Sequence, residues 1–381
     1  MRLIESIAPL FFVLIIIEVL YTYKYKLSFY SFRDSVTDLS LGTLSRIADG
    51  FILLGIVFVY QALQTSFAFG SFFPSLFVSS KSPLSWLILF ILVDFLFYWA
   101  HRFAHEINLF WASHVVHHSS EEFNLSVALR QSFVRNLFIG IFYLPLAIIG
   151  FSAEAYLITD ALNRTYQFWV HTRIIDRLPN WYEWIFVTPS HHRVHHAVNP
   201  RYIDKNYGGV FIFWDRLFGT FEEEKEEPVY GVVKPLGTFQ PIWAEVHVFA
   251  GLFQDFRLTK NKWEGILGFF KPPGYRPSDL PAYPKPKPIS PYSFIKFYPK
   301  GKETNKFRFY IISQFVMIAV SSLILIKTYE KWSYTEILVF TYVIVFSFYS
   351  LGRLLNSQTD VIRYEFAKWF FWALLLGYLV F

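Results

Sequence analysis

Long apolar runs separated by polar stretches dominate the 381-residue chain. The first, residues 7–23, is long enough to cross a hydrocarbon core of ~30 Å at ~1.5 Å per helical residue. Lys24 and Lys26 follow it directly, and it has no small-residue cleavage site, so it reads as an uncleaved anchor rather than a signal peptide. Runs at 41–61 and 85–101 predict a second and a third span. In the second, Arg46 and Asp49 are three residues apart and can pair on one helix face. Two shorter apolar helices, 134–151 and 154–171, are joined by a very short link and predict a hairpin. Three more spans, 307–326, 337–351 and 361–381, close the chain. The pattern predicts an all-α, polytopic membrane bundle of about eight spans, with no internal repeat. It divides into N-terminal spans (1–84), a histidine-bearing domain (85–222), a loop region (223–306) and C-terminal spans (307–381). Residues 172–306 are mostly polar and aromatic, with an acidic run at 222–227 and a Pro/Lys-rich, semi-extended stretch at 271–291.

Composition sharpens this picture. Hydrophobic residues make up 54% and aromatics 21%, while charged residues are only 17%, well below the usual quarter. Abundant Trp and Tyr suit membrane interfaces. The chain has no cysteine, which excludes disulfides, thiolate-ligated zinc and iron–sulfur clusters. The net charge of +6 comes with no basic–aromatic array, so nucleic acid is not an expected partner. Lys24, Lys26 and Arg33 follow the first span, and a Lys-rich region follows the hairpin. An outside N-terminus then places the first loop, every histidine cluster and 172–306 on the cytoplasmic side. The membrane would be a bacterial inner membrane or, in a eukaryote, the endoplasmic reticulum.

Ten of eleven histidines fall between His101 and His196; only His247 lies outside. His101 and His105 are one helical turn apart and can share a metal. In each HxxHH box the three rings fall within an arc of about 100°, so His114, His117 and His118 can face one site, as can His192, His195 and His196. His171 returns to the same level from the hairpin. His191 lies outside its box's arc and reads as a supporting or surface residue. Nine well-placed imidazoles are too many for one ion and suit two, with four or five ligands each. Imidazole ligation without thiolate is compatible with Fe, Cu, Zn or Ni. Two redox metals at a membrane surface point to O₂ activation. A histidine-lined transporter fits less well, because such sites lie near the bilayer midplane.

Three polar neighbours join the site candidates. Asp94 lies on the helix face of Tyr98, His101 and His105; it either fixes a ligand's tautomer by accepting a ring N–H or pairs with a neighbouring helix. Glu106 is a supporting or a surface carboxylate. Gln167, four before His171, either supports the site by hydrogen bonding or is structural.

The boxes and their flanks resemble the fatty acid hydroxylase/sterol desaturase superfamily of integral-membrane di-iron oxidases, and within it the branch that cleaves glyceryl ethers. The words that carry the likeness are Asp94-Phe-Leu-Phe-Tyr-Trp-Ala-His-Arg-Phe-Ala-His-Glu106, His114-Val-Val-His-His-Ser-Ser-Glu-Glu-Phe-Asn-Leu-Ser126 running on through Ala128-Leu-Arg-Gln-Ser132, and Tyr166-Gln-Phe-Trp-Val-His-Thr172. Thr188-Pro-Ser-His-His-Arg-Val-His-His196, Tyr202-Ile-Asp-Lys-Asn-Tyr-Gly-Gly209 and Trp214-Asp-Arg-Leu-Phe-Gly-Thr-Phe221 complete them. They span about residues 90–222.

The resemblance implies that His101, His105, His114, His117, His118, His192, His195 and His196 carry two irons, with His171 a further ligand and Glu106 at a carboxylate position beside the first box. It implies hydroxylation of the alkyl carbon next to an ether oxygen, with collapse to a fatty aldehyde. O₂ and a membrane lipid are the substrates. Tetrahydrobiopterin is the branch's reductant, though no pterin pocket is legible and the electron donor is left open. Hydroxylation or desaturation of another lipid (fatty acyl, sterol or carotenoid) stays open, as does a non-catalytic metal-binding or transport role.

Overall fold

The computed structural model describes residues 2–67, 82–284, 298–299 and 303–380. Residues 68–81, between the second and third predicted spans, and the end of the Pro/Lys-rich stretch lie outside the described residues. The architecture is all-helical, with two isolated β-bridges among the described residues. Eight helices have seventeen residues or more: α1 (Arg2–Lys24), α2 (Phe32–Phe67), α3 (Pro83–Glu106), α4 (Ala153–Trp169), α5 (Pro241–Leu258), α6 (Asn305–Thr328), α7 (Tyr334–Leu355) and α8 (Val361–Val380).

Among the described residues, four helical segments are long and apolar enough to cross a bilayer: α2, α3, Asn305–Lys331 (α6 with the turn that follows it) and α7. The chain is thus an integral membrane protein. The predicted hairpin is present but short. Its first limb breaks into Arg135–Ile139, a 3₁₀ turn Gly140–Tyr143 and Leu144–Ile149. At 1.5 Å per residue that limb reaches roughly 22 Å, less than a hydrocarbon core. Gly150, in the left-handed region at φ 115°, ends it, and the Ser152 hydroxyl caps α4 by accepting the Ala155 amide. The second limb, α4, buries Asp160 and Asn163 on its inner face. α8 has the length of a span but carries Arg363, Glu365 and Lys368.

At 36 residues, α2 is roughly 54 Å long and exceeds any hydrocarbon core. Its two halves differ in kind. The first buries Arg33, Asp34, Asp38, Ser40, Ser45 and Asp49, while the second exposes Leu54, Phe58 and Phe67. Arg46 and Asp49 pair at 3.3 Å, as their spacing predicts. One apolar core joins the first half of α2 to α6, α7 and α8 through Leu44, Ile318, Phe348 and Trp372. Another packs the second half of α2 and α3 against the hairpin through Tyr60, Leu89, Tyr143 and Tyr156. The second histidine box packs on the first half of α2, Val116 against Leu41, and the first box ends α3.

Candidate metal centre

His101 and His105 project from the last two turns of α3. His117 and His118 end the four-residue helix Val115–His118, which His114 precedes. His171 follows α4, and the third box lies on Pro189–His195, where Thr188 caps and Pro189 presets the first turn. The nine imidazoles converge as two buried groups: His101, His105, His114, His118 and His195, and beside them His117, His171, His192 and His196. Within each group the ligand atoms lie within 4.8 Å of one another.

The grouping corrects one expectation. Neither HxxHH box serves a single site: His117 leaves its box for the second group, and His195 leaves His192 and His196 for the first. The three rings of a box do face one direction. However, the groups adjoin there, with the His118 and His196 rings stacked at 4.3 Å and those of His117 and His196 edge to face at 4.5 Å. One arc therefore addresses both.

The ring nitrogens are oriented by backbone. Nδ1 of His101 donates to the Tyr207 carbonyl at 2.8 Å, His117 to Arg130 at 3.0 Å, His171 to Gln167 at 2.8 Å and His195 to Lys205 at 2.9 Å. A carbonyl can only accept, so Nδ1 holds the proton and the Nε2 lone pair faces inward. Nε2 atoms then meet one another: His101 with His114 at 3.0 Å, His114 with His118 at 3.1 Å, His171 with His192 at 2.9 Å and His192 with His196 at 3.1 Å. Nε2 of His105 and of His195 has no hydrogen-bond partner among the described residues. Two ligands at ~2.1 Å from one ion and at right angles lie ~3.0 Å apart, so the residues fit an ion in each group. Burial first, and neighbouring imidazoles second, push the pKa of His114, His117, His118, His192, His195 and His196 well below the usual value. Burial takes His171 down to about 4. Neutral imidazole is the metal-binding form.

The polar candidates fare differently. Asp94 touches no histidine; its carboxylate accepts from Asn163 Nδ2 at 2.7 Å, the Val210 amide at 2.8 Å, the Phe211 amide at 3.1 Å and Trp214 Nε1 at 3.0 Å. It ties α3 to α4 and to the 207–221 segment, which is the neighbouring-element reading. Gly209 makes the approach possible, since a Cβ there would meet Asp94 Oδ1 at 2.8 Å. Glu106 pairs with Arg102 at 2.8 Å, partly exposed and outside both groups. Gln167 supports His171 through its carbonyl, while its side chain donates to Asn163. His191 is buried rather than at the surface, and its Nδ1 accepts the Thr188 amide at 3.3 Å.

Sequence reasoning missed Arg130 and Tyr207. Arg130 is wholly buried; Nε donates to the Val116 carbonyl at 2.9 Å and the guanidinium reaches Asp34, Asp38, Ser119 and Tyr298. The Tyr207 ring lies 5.3 Å from that of His105, and its buried hydroxyl has no partner among the described residues. The signals available were an arginine following an apolar pair, and the Asn206–Tyr207–Gly208 word. Asp204 and Asn206 both adopt positive φ, which small polar side chains tolerate.

Fold and site together define a helical membrane protein with two adjoining imidazole-only groups that could each hold a metal ion. The fatty acid hydroxylase family model matches residues 86–220. Alkylglycerol monooxygenase of Danio rerio is 34% identical over 373 residues, covering 96% of this chain and 80% of that protein. The Xenopus tropicalis protein of that name is 38% identical over 281 residues (72% of this chain, 60% of the relative), and the Homo sapiens one 41% over 249 (64% and 53%). The chain belongs to the fatty acid hydroxylase family, in the alkylglycerol monooxygenase branch. It spans little more than half the length of the frog and human relatives. No solved structure matches.

Proposed function

We propose that the protein is a membrane-bound di-iron monooxygenase that uses O₂ to hydroxylate a lipid C–H bond, the carbon next to the ether oxygen of an alkylglycerol. The observation that carries this is the convergence of nine buried imidazoles as five and four. In this reading His101, His105, His114, His118 and His195 hold one iron, and His117, His171, His192 and His196 the other. Bound there, the ions supply activation of O₂ by two electrons. One oxygen atom enters the C–H bond and the other leaves as water. The hemiacetal formed at the ether carbon collapses to a fatty aldehyde and a free glycerol hydroxyl. A reduced pterin of the tetrahydrobiopterin type supplies the electron pair.

The chain's own share is orientation and exclusion of water. The carbonyls of Tyr207, Arg130, Gln167 and Lys205 fix four tautomers, and every ligand is buried. Asp94 seats the 207–221 segment, which delivers the Tyr207 carbonyl. The site faces the cytoplasm, where an amphiphile keeps its head group near water while its tail lies among aromatic-rich helices.

The test is aldehyde release from a labelled 1-O-alkylglycerol by iron-loaded membranes, with and without O₂ and a reduced pterin. Release that needs both is expected. Silence with iron confirmed in place would overturn the ether-lipid substrate.

A further inference from the structure

The segment that supplies the Tyr207 carbonyl runs on to a place where an aqueous cap should not be. Trp214 packs edge-on to Phe95 of α3 at 5.0 Å, and Phe211 packs edge-on to Phe90 at 6.0 Å. Phe90 lies sixteen residues before Glu106, the last residue of α3, or roughly 24 Å down the helix axis. On the same side of α3, between the directions of Phe90 and Phe95, Leu84, Leu87 and Ile91 are exposed as a lipid-facing surface would be. The tip formed by residues 180–187 and 210–218 therefore runs beside a membrane span, well within its length.

Irregular backbone at that depth needs every polar group satisfied from within the protein, and here the strands of the turn are closed on each other. The Val187 amide donates to the Val210 carbonyl at 2.8 Å and the Ile212 amide to Ile185 at 3.0 Å, while Asp94 takes the Val210 and Phe211 amides. Asp215 takes the Tyr207 and Gly208 amides at 2.7 and 2.8 Å.

The outer face is apolar by arrangement. Trp181, Trp184 and Ile185 occupy one face of the helix Asn180–Ile185 at helical spacing, and they are 68%, 62% and 36% exposed; Leu217 on the helix Phe213–Phe218 is 66% exposed. The two charges that could spoil this face are folded away from it. Glu183 accepts the Leu178 amide and the Thr188 and Ser190 hydroxyls, and the Arg216 guanidinium stacks on Phe221 at 3.7 Å.

We propose that the tip of this hairpin, residues 180–187 and 210–218, is embedded in the bilayer beside α3, with Trp181, Trp184, Ile185 and Leu217 facing phospholipid acyl chains. The occupant of this face is lipid, because the face continues the exposed apolar surface of a membrane span and shows no outward charge. The inference stands apart from the catalytic reading and needs no turnover.

The chain lacks cysteine, so single cysteines can be introduced for nitroxide labelling. Full-length Trp184→Cys and Leu217→Cys, in phosphatidylcholine vesicles, are compared with Ile91→Cys on the span and Lys225→Cys in the acidic run. The readout is the ratio of collisions with O₂, which concentrates in lipid, to collisions with a nickel chelate, which stays in water. Both hairpin positions are expected to match Ile91→Cys, several-fold above Lys225→Cys. A ratio matching Lys225→Cys at either position overturns the proposal. Ile185→Cys replaces whichever variant fails to accumulate in membranes.

Discussion

The guanidinium of Arg130 lies 3.0 Å from the carboxylate of Asp38, and neither side chain reaches solvent. The same arginine gives its carbonyl to Nδ1 of His117. One residue therefore locks the first half of α2 to the second metal group. Removing one partner of a buried ion pair costs roughly 3–5 kcal/mol, because a charge is left uncompensated. Arg130→Ala should lower the thermal unfolding temperature markedly in detergent and reduce bound metal. Near-wild-type melting would show that the pair is dispensable.

The split of the HxxHH boxes makes adjacent histidines non-equivalent. His117→Ala should empty the four-histidine group and His118→Ala weaken the five-histidine group, each keeping most of the other ion. Metal analysis of the purified variants should give about one equivalent lost per chain, against two held, since the two groups supply two centres. Loss of both ions from either variant would mean that the centres fill only together. Glu106→Gln, outside both groups, should retain both ions.

Asp94 accepts four hydrogen bonds and donates none. Asp94→Asn turns an amide NH₂ toward donors and leaves at least one buried group unsatisfied, at about 1–3 kcal/mol each. The expected result is a destabilised fold whose imidazoles still bind metal. It would be checked by chemical or thermal unfolding alongside metal content. An unchanged melting curve with activity abolished would return Asp94 to a direct catalytic role.

The buried imidazoles also set a pH dependence for metal-free protein. Their folded pKa values lie below the unfolded value of about 6.5, with His171 at about 4. Above that value both states are neutral and folding carries no penalty. As pH falls through about 6.5, the unfolded chain takes up protons that the folded one refuses, so stability declines, by up to roughly 1.4 kcal/mol per pH unit per imidazole. Melting temperature after chelation should therefore fall between pH 7 and pH 5. A rise over that interval would contradict neutral, buried rings.

Much of this was legible in the chain. Nine histidines at helical spacings announced a buried imidazole cluster able to hold metal, because i, i+3 and i+4 positions share a helix face. Which ring joins which ion was not legible, because the helices involved have only four and seven residues and the two groups lie side by side. The hairpin showed in the pattern around Gly150 and Ser152. Its depth did not, since a 3₁₀ turn and buried Asp160 and Asn163 shorten what hydropathy alone extends. Asp94 was flagged as costly, but its four donors come from residues 69 to 120 positions away, beyond the reach of any local spacing rule.

The backbone carbonyls that key the imidazoles have an electrical consequence. All nine candidate ligands are imidazoles, which bind metal in the neutral form, and the carboxylate of Asp204 stands 3.7 Å from His105 Nδ1 and half in solvent. A pair of divalent ions held there keeps nearly its full positive charge, where carboxylate-bridged centres would cancel it. Such a centre favours its reduced form and draws anions, so its midpoint potential should be high and azide or fluoride should bind it tightly.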